Sequence, residues 1–280
     1  MLQETQPTKF DTLIRLSGFS HGTDVWLNNA QDYIRSGTAT MREVISTRDD
    51  IMNYLILKGV ENETAFKIME IVRKGKKDLD DEQVATMKEH NVPDWYIDSC
   101  NKIKYMFPRA HAVAYTMMSF RMAWYKVYYP QEFYATYFTT KVANFDAETI
   151  LKGKDAILAK MEEIDAKGTN AAPKEKDDYT IYEVAYEMYA RGYEFTPARL
   201  GKSLATKFSV DNGKVLLPFV AIEGVGENAA KAFQSEYEIK EFDTVEEAVK
   251  RAKLNRTAVE GLRNHGVFEG LAETDQLSMF

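Results

Sequence analysis

Four cations within five residues, Arg73, Lys74, Lys76 and Lys77, stand where a helix is expected to end. Cations in a last turn complement the helix dipole or form a solvated face, but four exceed that need, so a polyanion contact is the favoured reading. Arg109 and His111 follow Lys102 and Lys104 and fall in the first turn of a helix opened by Pro108. A first turn favours acids, so these two work against the dipole, and that conflict points to an anionic ligand. His111 and Tyr115 are four apart and share a helical face, where they can flank a base or a phosphate. A histidine without such neighbours reads as structural.

Gly224-Val225-Gly226 follows Ile222 and runs into helix-forming sequence that includes Asn228, Ala229, Ala230 and Phe233. It resembles a helix-hairpin-helix motif. Glycine suits a turn that a Cβ would oppose and lets the backbone approach a phosphate, towards which the free N–H groups of the next helix point. Such contacts position nucleic acid without reading its bases. An ordinary tight turn between helices is the alternative. A degenerate second copy is expected from Leu254-Asn255-Arg256 to His265-Gly266-Val267-Phe268, with Asn255 as N-cap and Arg256 near the phosphate.

Asp78-Leu79-Asp80-Asp81 has the Asp-x-Asp spacing of a two-metal site. Metal-binding carboxylates need rigid support, and these sit between Lys76-Lys77 and a polar segment, so they read as a solvated helix start. Neither a Ser-His-Asp order, a phosphate-cradling glycine loop nor a His/Cys metal spacing is found. No residue is assigned to catalysis or to a metal. Gln276, Leu277, Ser278, Met279 and Phe280 place large apolar side chains in a terminal peptide, where a pocket on another protein would suit them. Their spacing looks like the peptide that docks on bacterial sliding clamps. A tail folded back on its own domain, or left floppy, is the alternative.

The elements that must position these residues are mainly helical. Ala65, Ile68, Met69 and Val72 recur at i, i+3, i+4 and i+7, with Gly75 as the expected C-cap. From Arg109 to about Tyr129 the chain is apolar nearly all round, which predicts a helix buried on most sides. Pro130 then opens a further helix through Tyr134, Tyr137 and Phe138 to Thr140, and the pair is expected to form a central helical hairpin. The stretch Lys167–Lys174 reads as a loop, and the helix after it stops at Gly192. Lys207–Val210 and Lys214–Leu217 flank Asp211-Asn212-Gly213, a strong β-hairpin signal. The expected fold is mainly α: a helical region over residues 1–200, a small α+β module with a β-hairpin and tandem helix-hairpin-helix over 201–270, and a tail over 271–280.

At 280 residues and 45% hydrophobic, the chain can bury a substantial core. Its net charge of −7 disfavours binding of nucleic acid by the whole surface, so any DNA contact must be local. One cysteine, Cys100, excludes an internal disulfide and suits a reducing compartment. Neither a signal peptide nor a spanning helix is read, so a cytoplasmic protein without membrane partners is expected.

Ser20-His21-Gly22-Thr23-Asp24-Val25-Trp26, Arg48-Asp49-Asp50-Ile51-Met52, Val92 to Cys100 and Phe107-Pro108-Arg109-Ala110-His111-Ala112 occur in an order that resembles the C-terminal region of PolC-type bacterial DNA polymerase III. The likeness runs from the first residues to Phe280. It implies the fingers of a DNA-directed DNA polymerase, then a helix-hairpin-helix module that holds duplex DNA, then a clamp-binding peptide with Met279 where Leu is more usual. By that resemblance Arg48, Arg73, Lys74, Lys76, Arg109 and His111 face the incoming deoxynucleoside triphosphate or the template, and Tyr105 and Tyr115 line the same pocket. Gly224, Val225, Gly226 and Asn228 match the hairpin that holds the DNA backbone, to which the second copy read above would add Arg256. The implied partners are primer–template DNA, the nucleotide, the sliding clamp and the rest of the polymerase or replisome. The palm of that family, whose aspartates bind two Mg2+ ions, would precede Leu2, so the chain alone is expected to be inactive. The competing readings are a non-catalytic replication accessory protein that binds DNA and the clamp, and an unrelated all-helical structural protein.

Overall fold

The computed structural model describes residues 1–274; Gln276, Leu277, Ser278, Met279 and Phe280 lie outside the described residues. The chain is mainly α-helical, with a small three-stranded sheet. Helices of eight or more residues are α1 (Phe10–His21), α2 (Arg48–Leu57), α3 (Asn62–Lys74), α4 (Asp81–Glu89), α5 (Asp94–Lys102), α6 (Arg109–Tyr128), α7 (Pro130–Thr140), α8 (Lys154–Lys167), α9 (Pro173–Ala190), α10 (Glu227–Ile239), α11 (Val245–Ala252) and α12 (Arg256–Asn264). The chain splits into two compact units, Met1–Arg121 and the part from Met122 onward, with the division inside α6.

The first unit is built around the stripe that periodicity predicts on α3. Ala65, Ile68, Met69 and Val72 are each 4% exposed or less, and burial of each of the larger three stabilises by roughly 1.5–3 kcal/mol. Glu61 starts this helix by accepting the Glu63 and Thr64 amides at 2.9 and 2.8 Å. Gly75 ends it in the left-handed conformation at φ 53°. Ile51 and Leu55 of α2, with Tyr96, Ile97 and Cys100 of α5, fill the same core.

The second unit joins α7, α8 and α9 to the sheet and the last three helices through one continuous core. Phe138, Phe145, Phe195 and Phe208 form an aromatic cluster beneath the sheet, and Phe219, Phe233, Phe242 and Phe268 form another among the C-terminal helices. This shared core is why the compact unit begins well before residue 200. Strand β3 (Lys214–Leu216) lies between β1 (Phe195–Thr196) and β2 (Ser209–Asp211), parallel to the first and antiparallel to the second. Asn212 and Gly213 both have positive φ, 50° and 76°, as the predicted two-residue hairpin turn requires.

The expected buried helical hairpin is corrected by the structure. Of α6 only Ala112 and Thr116 are buried, while Met118, Phe120, Trp124, Tyr125 and Tyr128 are exposed. Its partner α7 buries Tyr134 and Phe138 completely. An all-round apolar pattern shows that a helix has no solvent-adapted face; it does not show which surface covers it.

Candidate nucleotide and DNA interface

Three segments of the first unit meet at Lys104–Phe107. Thr23 donates its N–H to the Tyr105 carbonyl at 3.0 Å, Met106 donates to the Arg73 carbonyl at 3.3 Å, and Arg48 donates to the Phe107 carbonyl at 3.2 Å. Close approach at this junction depends on two glycines. A Cβ on Gly22 would meet the Tyr105 carbonyl at 2.9 Å, and one on Gly75 would meet the Lys104 backbone at 2.1 Å. The junction's hydrogen bonds hold Arg48 and Arg73, from two helices, beside Tyr105 and Phe107.

Aromatic side chains gather on it. His111 stacks on Phe107 with centroids 4.6 Å apart and lies 4.4 Å from Tyr115, as their shared helical face predicts. Tyr105 meets Phe107 edge-on at 5.0 Å, and His21, from the end of α1, lies 5.8 Å from Phe107 and 5.9 Å from His111. The His21 Nδ1 is within 2.7 Å of the Ser17 carbonyl oxygen, which fixes the ring plane. Tyr105 and Tyr115 are about half exposed, so π faces are open to a ligand.

The cations are paired. Arg73 bonds Glu70 through Nε and, at 2.8 Å, through a terminal guanidinium nitrogen; Lys74 Nζ is 3.2 Å and Arg48 3.9 Å from the same carboxylate. Hydrogen bonding by Arg73 is the main cause that holds the Glu70 carboxyl down to about 2, and Glu70 in turn raises Arg73. Lys76 is exposed. Arg109 reaches Asp11 at 2.9 Å and Asp50 at 3.4 Å, and its backbone N–H donates to Asp49 Oδ2 at 2.6 Å. The conflict between Arg109 and the dipole of α6 is therefore answered inside the protein: Asp49 caps the helix and two further carboxylates neutralise the guanidinium.

The Asp78–Asp81 acids lead into a helix, α4. Asp80 caps α4 by accepting the Gln83 amide at 2.9 Å. Among the described residues no cluster of three His, Cys, Asp or Glu side chains could hold a metal ion.

In the second unit the tandem hairpins are present, and the second begins one residue earlier than its predicted motif. Gly224 (φ 85°) and Lys253 (φ 51°) occupy equivalent left-handed positions, Val225 and Leu254 are the buried residues between, and Gly226 and Asn255 are the N-caps of α10 and α12. The two caps differ. Asn255 accepts the Ala258 amide at 2.8 Å, whereas Gly226 offers no side chain, so the first amides of α10 remain available to an external acceptor. The glycines also differ. A Cβ on Gly224 would lie 2.9 Å from the Thr257 carbonyl oxygen, while one on Gly226 would meet nothing within 4 Å. Gly224 and Gly261, whose Cβ would strike the Glu223 carbonyl at 2.2 Å, lock the hairpins together. Val225 donates its amide to the Ile222 carbonyl at 3.1 Å, Asn228 is exposed, and the exposed Arg256 pairs with Glu260 at 2.8 Å.

Comparison with known proteins covers the chain from end to end. The family model for the bacterial DNA polymerase III alpha subunit finger domain matches residues 1–92, and that for the helix-hairpin-helix motif matches residues 192–277. A DNA polymerase III PolC-type of Caldanaerobacter subterraneus is 54% identical over all 280 residues of this chain. The chain belongs to the PolC-type DNA polymerase III family. PolC-type relatives from Clostridium perfringens and Bacillus subtilis are 53% and 50% identical, again over the whole chain. The chain spans about a fifth of the length of these relatives: 20%, 19% and 19%. It is thus a PolC-type segment carrying finger and helix-hairpin-helix sequence.

Sequence reasoning assigned Arg48, Arg73, Lys74, Lys76, Tyr105, Arg109, His111 and Tyr115 to one region; the fold brings all but Lys76 around the junction, and Lys76 is exposed just beyond the end of α3. That reasoning missed Glu70, Asp49 and His21. Glu70 carried a signal, being three and four residues before Arg73 and Lys74 on one helical face. Asp49 and His21 act through partners distant in sequence, which no local pattern reveals.

Proposed function

We propose that this chain supplies the nucleotide-facing and DNA-holding parts of a cytoplasmic bacterial replicative DNA polymerase. The observation that carries this reading is the meeting of Arg48, Arg73 and Lys74 with the His21–Phe107–His111–Tyr115 ring cluster at one backbone junction, with Arg109 on the helix turn that carries His111. Cations lower the cost of bringing phosphate charge to the protein, and aromatic faces stack on a base for roughly 1–3 kcal/mol each. The incoming deoxynucleoside triphosphate, or a template nucleotide beside it, presents both chemistries together. Lys76 adds an exposed positive charge nearby in sequence.

The first hairpin holds duplex DNA by its backbone. Gly226 leaves room for a phosphate at the open amides of α10, with Asn228 in that first turn and Arg256 on the second hairpin as a further cation. Binding of this kind is insensitive to sequence and weakens with salt. Residues 276–280 tether the enzyme to a sliding clamp. Phosphoryl transfer is assigned to Mg2+-binding carboxylates elsewhere in the full-length polymerase, so this segment alone does not polymerise.

In the full-length polymerase, Arg73→Ala and His111→Ala should each raise the nucleotide KM at least several-fold while primer–template affinity changes little. Wild-type nucleotide dependence in both folded variants would remove the reading.

A further inference from the structure

Glu70 is placed where it can do more than neutralise its neighbours. Three cations converge on its one carboxylate: Arg73 doubly bonded, Lys74 at 3.2 Å and Arg48 at 3.9 Å. A carboxylate offers about four lone-pair sites, whereas two guanidiniums and an ammonium carry about thirteen N–H donors, so most donors point elsewhere. The local balance is two positive charges in excess. Glu70 and Arg73 are only 21% and 27% exposed, so neither is a freely solvated surface charge. The two arginines cannot drift apart at the backbone, since Arg48 and Arg73 are both tied to the Tyr105–Phe107 segment. That segment also carries the open face of Tyr105.

We propose that Glu70 is a positioning residue that stands in for a phosphate group: its carboxylate holds Arg48, Arg73 and Lys74 together in the free protein and competes with the ligand phosphate for them. The inference rests on the nucleotide and DNA reading above and adds to it a residue that no motif assigned. The physical case is like-charge repulsion. Three cations packed this closely would splay without an internal acceptor to gather their donors, and a splayed set would have to be regathered on each binding event. The carboxylate prepares the site, and its negative charge then opposes the incoming anion. Phosphate has more acceptor oxygens than a carboxylate and can take the unused donors, so exchange is favourable.

Glu70→Gln separates the two effects. The amide oxygen keeps one of the two hydrogen bonds from Arg73, and the backbone ties of Arg48 and Arg73 to the Tyr105–Phe107 segment remain, while the competing charge is removed. In the full-length polymerase at low salt, one unit charge removed beside the bound phosphate should tighten binding about fivefold, and the gain should shrink as salt is raised. If the phosphate is that of the nucleotide, the nucleotide KM falls; if it belongs to the template backbone, the primer–template Kd falls and the KM does not. Either result supports the inference. Glu70→Asp withdraws the charge by one methylene and should shift the same constant in the same direction by less, so it carries the test if the Gln variant fails to fold. A merely structural Glu70 gives the opposite sign, weaker binding with a lowered melting temperature, and that result overturns the inference. Unchanged constants overturn it too. Arg73→Ala, measured alongside, keeps the two levels distinct: weakened binding there with no tightening in Glu70→Gln removes only the role of Glu70, whereas no effect of Arg73→Ala removes the phosphate site itself.

Discussion

Asp49 Oδ2 accepts the backbone N–H of Arg109 at 2.6 Å across sixty residues of sequence. The cap fixes the first turn of α6 and with it the ring of His111, two residues on, while Asp50 and Asp11 take the Arg109 side chain. A basic helix start thus needs no external anion to be stable, and any phosphate that reaches Arg109 must compete with two carboxylates.

Asp49→Ala should destabilise the protein by about 1 kcal/mol, the usual cost of a lost N-cap, and should raise the nucleotide KM by loosening His111. Asp49→Asn, which keeps an acceptor, should recover most of both. Thermal melts and steady-state incorporation by the full-length polymerase check this; an Ala variant that melts with wild type would show that the cap is not used.

Arg109→Ala should change stability by no more than about 1 kcal/mol, because its ion pairs are partly exposed. The nucleotide KM should rise severalfold with primer–template and clamp affinities nearly unchanged. Incorporation at varied nucleotide concentration gives the answer, and an unaltered KM would make Arg109 purely a partner of Asp11 and Asp50.

The hairpin glycines should separate cleanly. Gly226 has an ordinary φ of −72° and open space around it, so Gly226→Ala should fold normally yet weaken duplex binding alike on unrelated DNA sequences. Gly224→Ala should lower the melting temperature, since its φ is 85° and the new Cβ would press on Thr257. DNA titrations across a salt series, paired with melts, distinguish them; equal melting of both variants would refute the interlocking of the hairpins.

Acid should unfold the second unit through Glu247, among other carboxylates. Its carboxyl accepts the Asp243 amide and pairs with Arg251 and Lys240, which hold it at about 2 against an ordinary 4.5. A depressed carboxyl contributes stability that is complete above about 4.5 and is lost as pH falls through 2. Melting temperature should therefore decline across that window, and Glu247→Gln should be less stable at pH 7 and show a shallower decline. Parallel curves for the two proteins would exclude Glu247 as a contributor.

Deleting residues 276–280 should abolish association with a sliding clamp without changing the melt, because apolar anchors of a short peptide carry most of its binding energy. A titration of cognate clamp with full-length and truncated polymerase decides it, and undiminished affinity would place the clamp contact elsewhere.

What the sequence determined alone was whatever depends on neighbours a few residues apart. The spacing of Ala65, Ile68, Met69 and Val72 set a buried stripe, Gly75 ended that helix, Pro130 opened another, and Asn212-Gly213 turned the hairpin. The Gly-Val-Gly turn was legible for the same reason. What only the tertiary structure decided was the partner of each charged or apolar group across long separations. Periodicity could mark α6 as apolar but could not say that its Met118, Phe120 and Trp124 side chains would be exposed. Nor could it tell that Asp49 answers Arg109, that Thr257 crowds Gly224, or that Arg48 joins Arg73 and Lys74 on Glu70. Helix and turn propensities are fixed by local backbone sterics, whereas charge pairing and exposure depend on which surfaces the whole fold brings within a few ångströms.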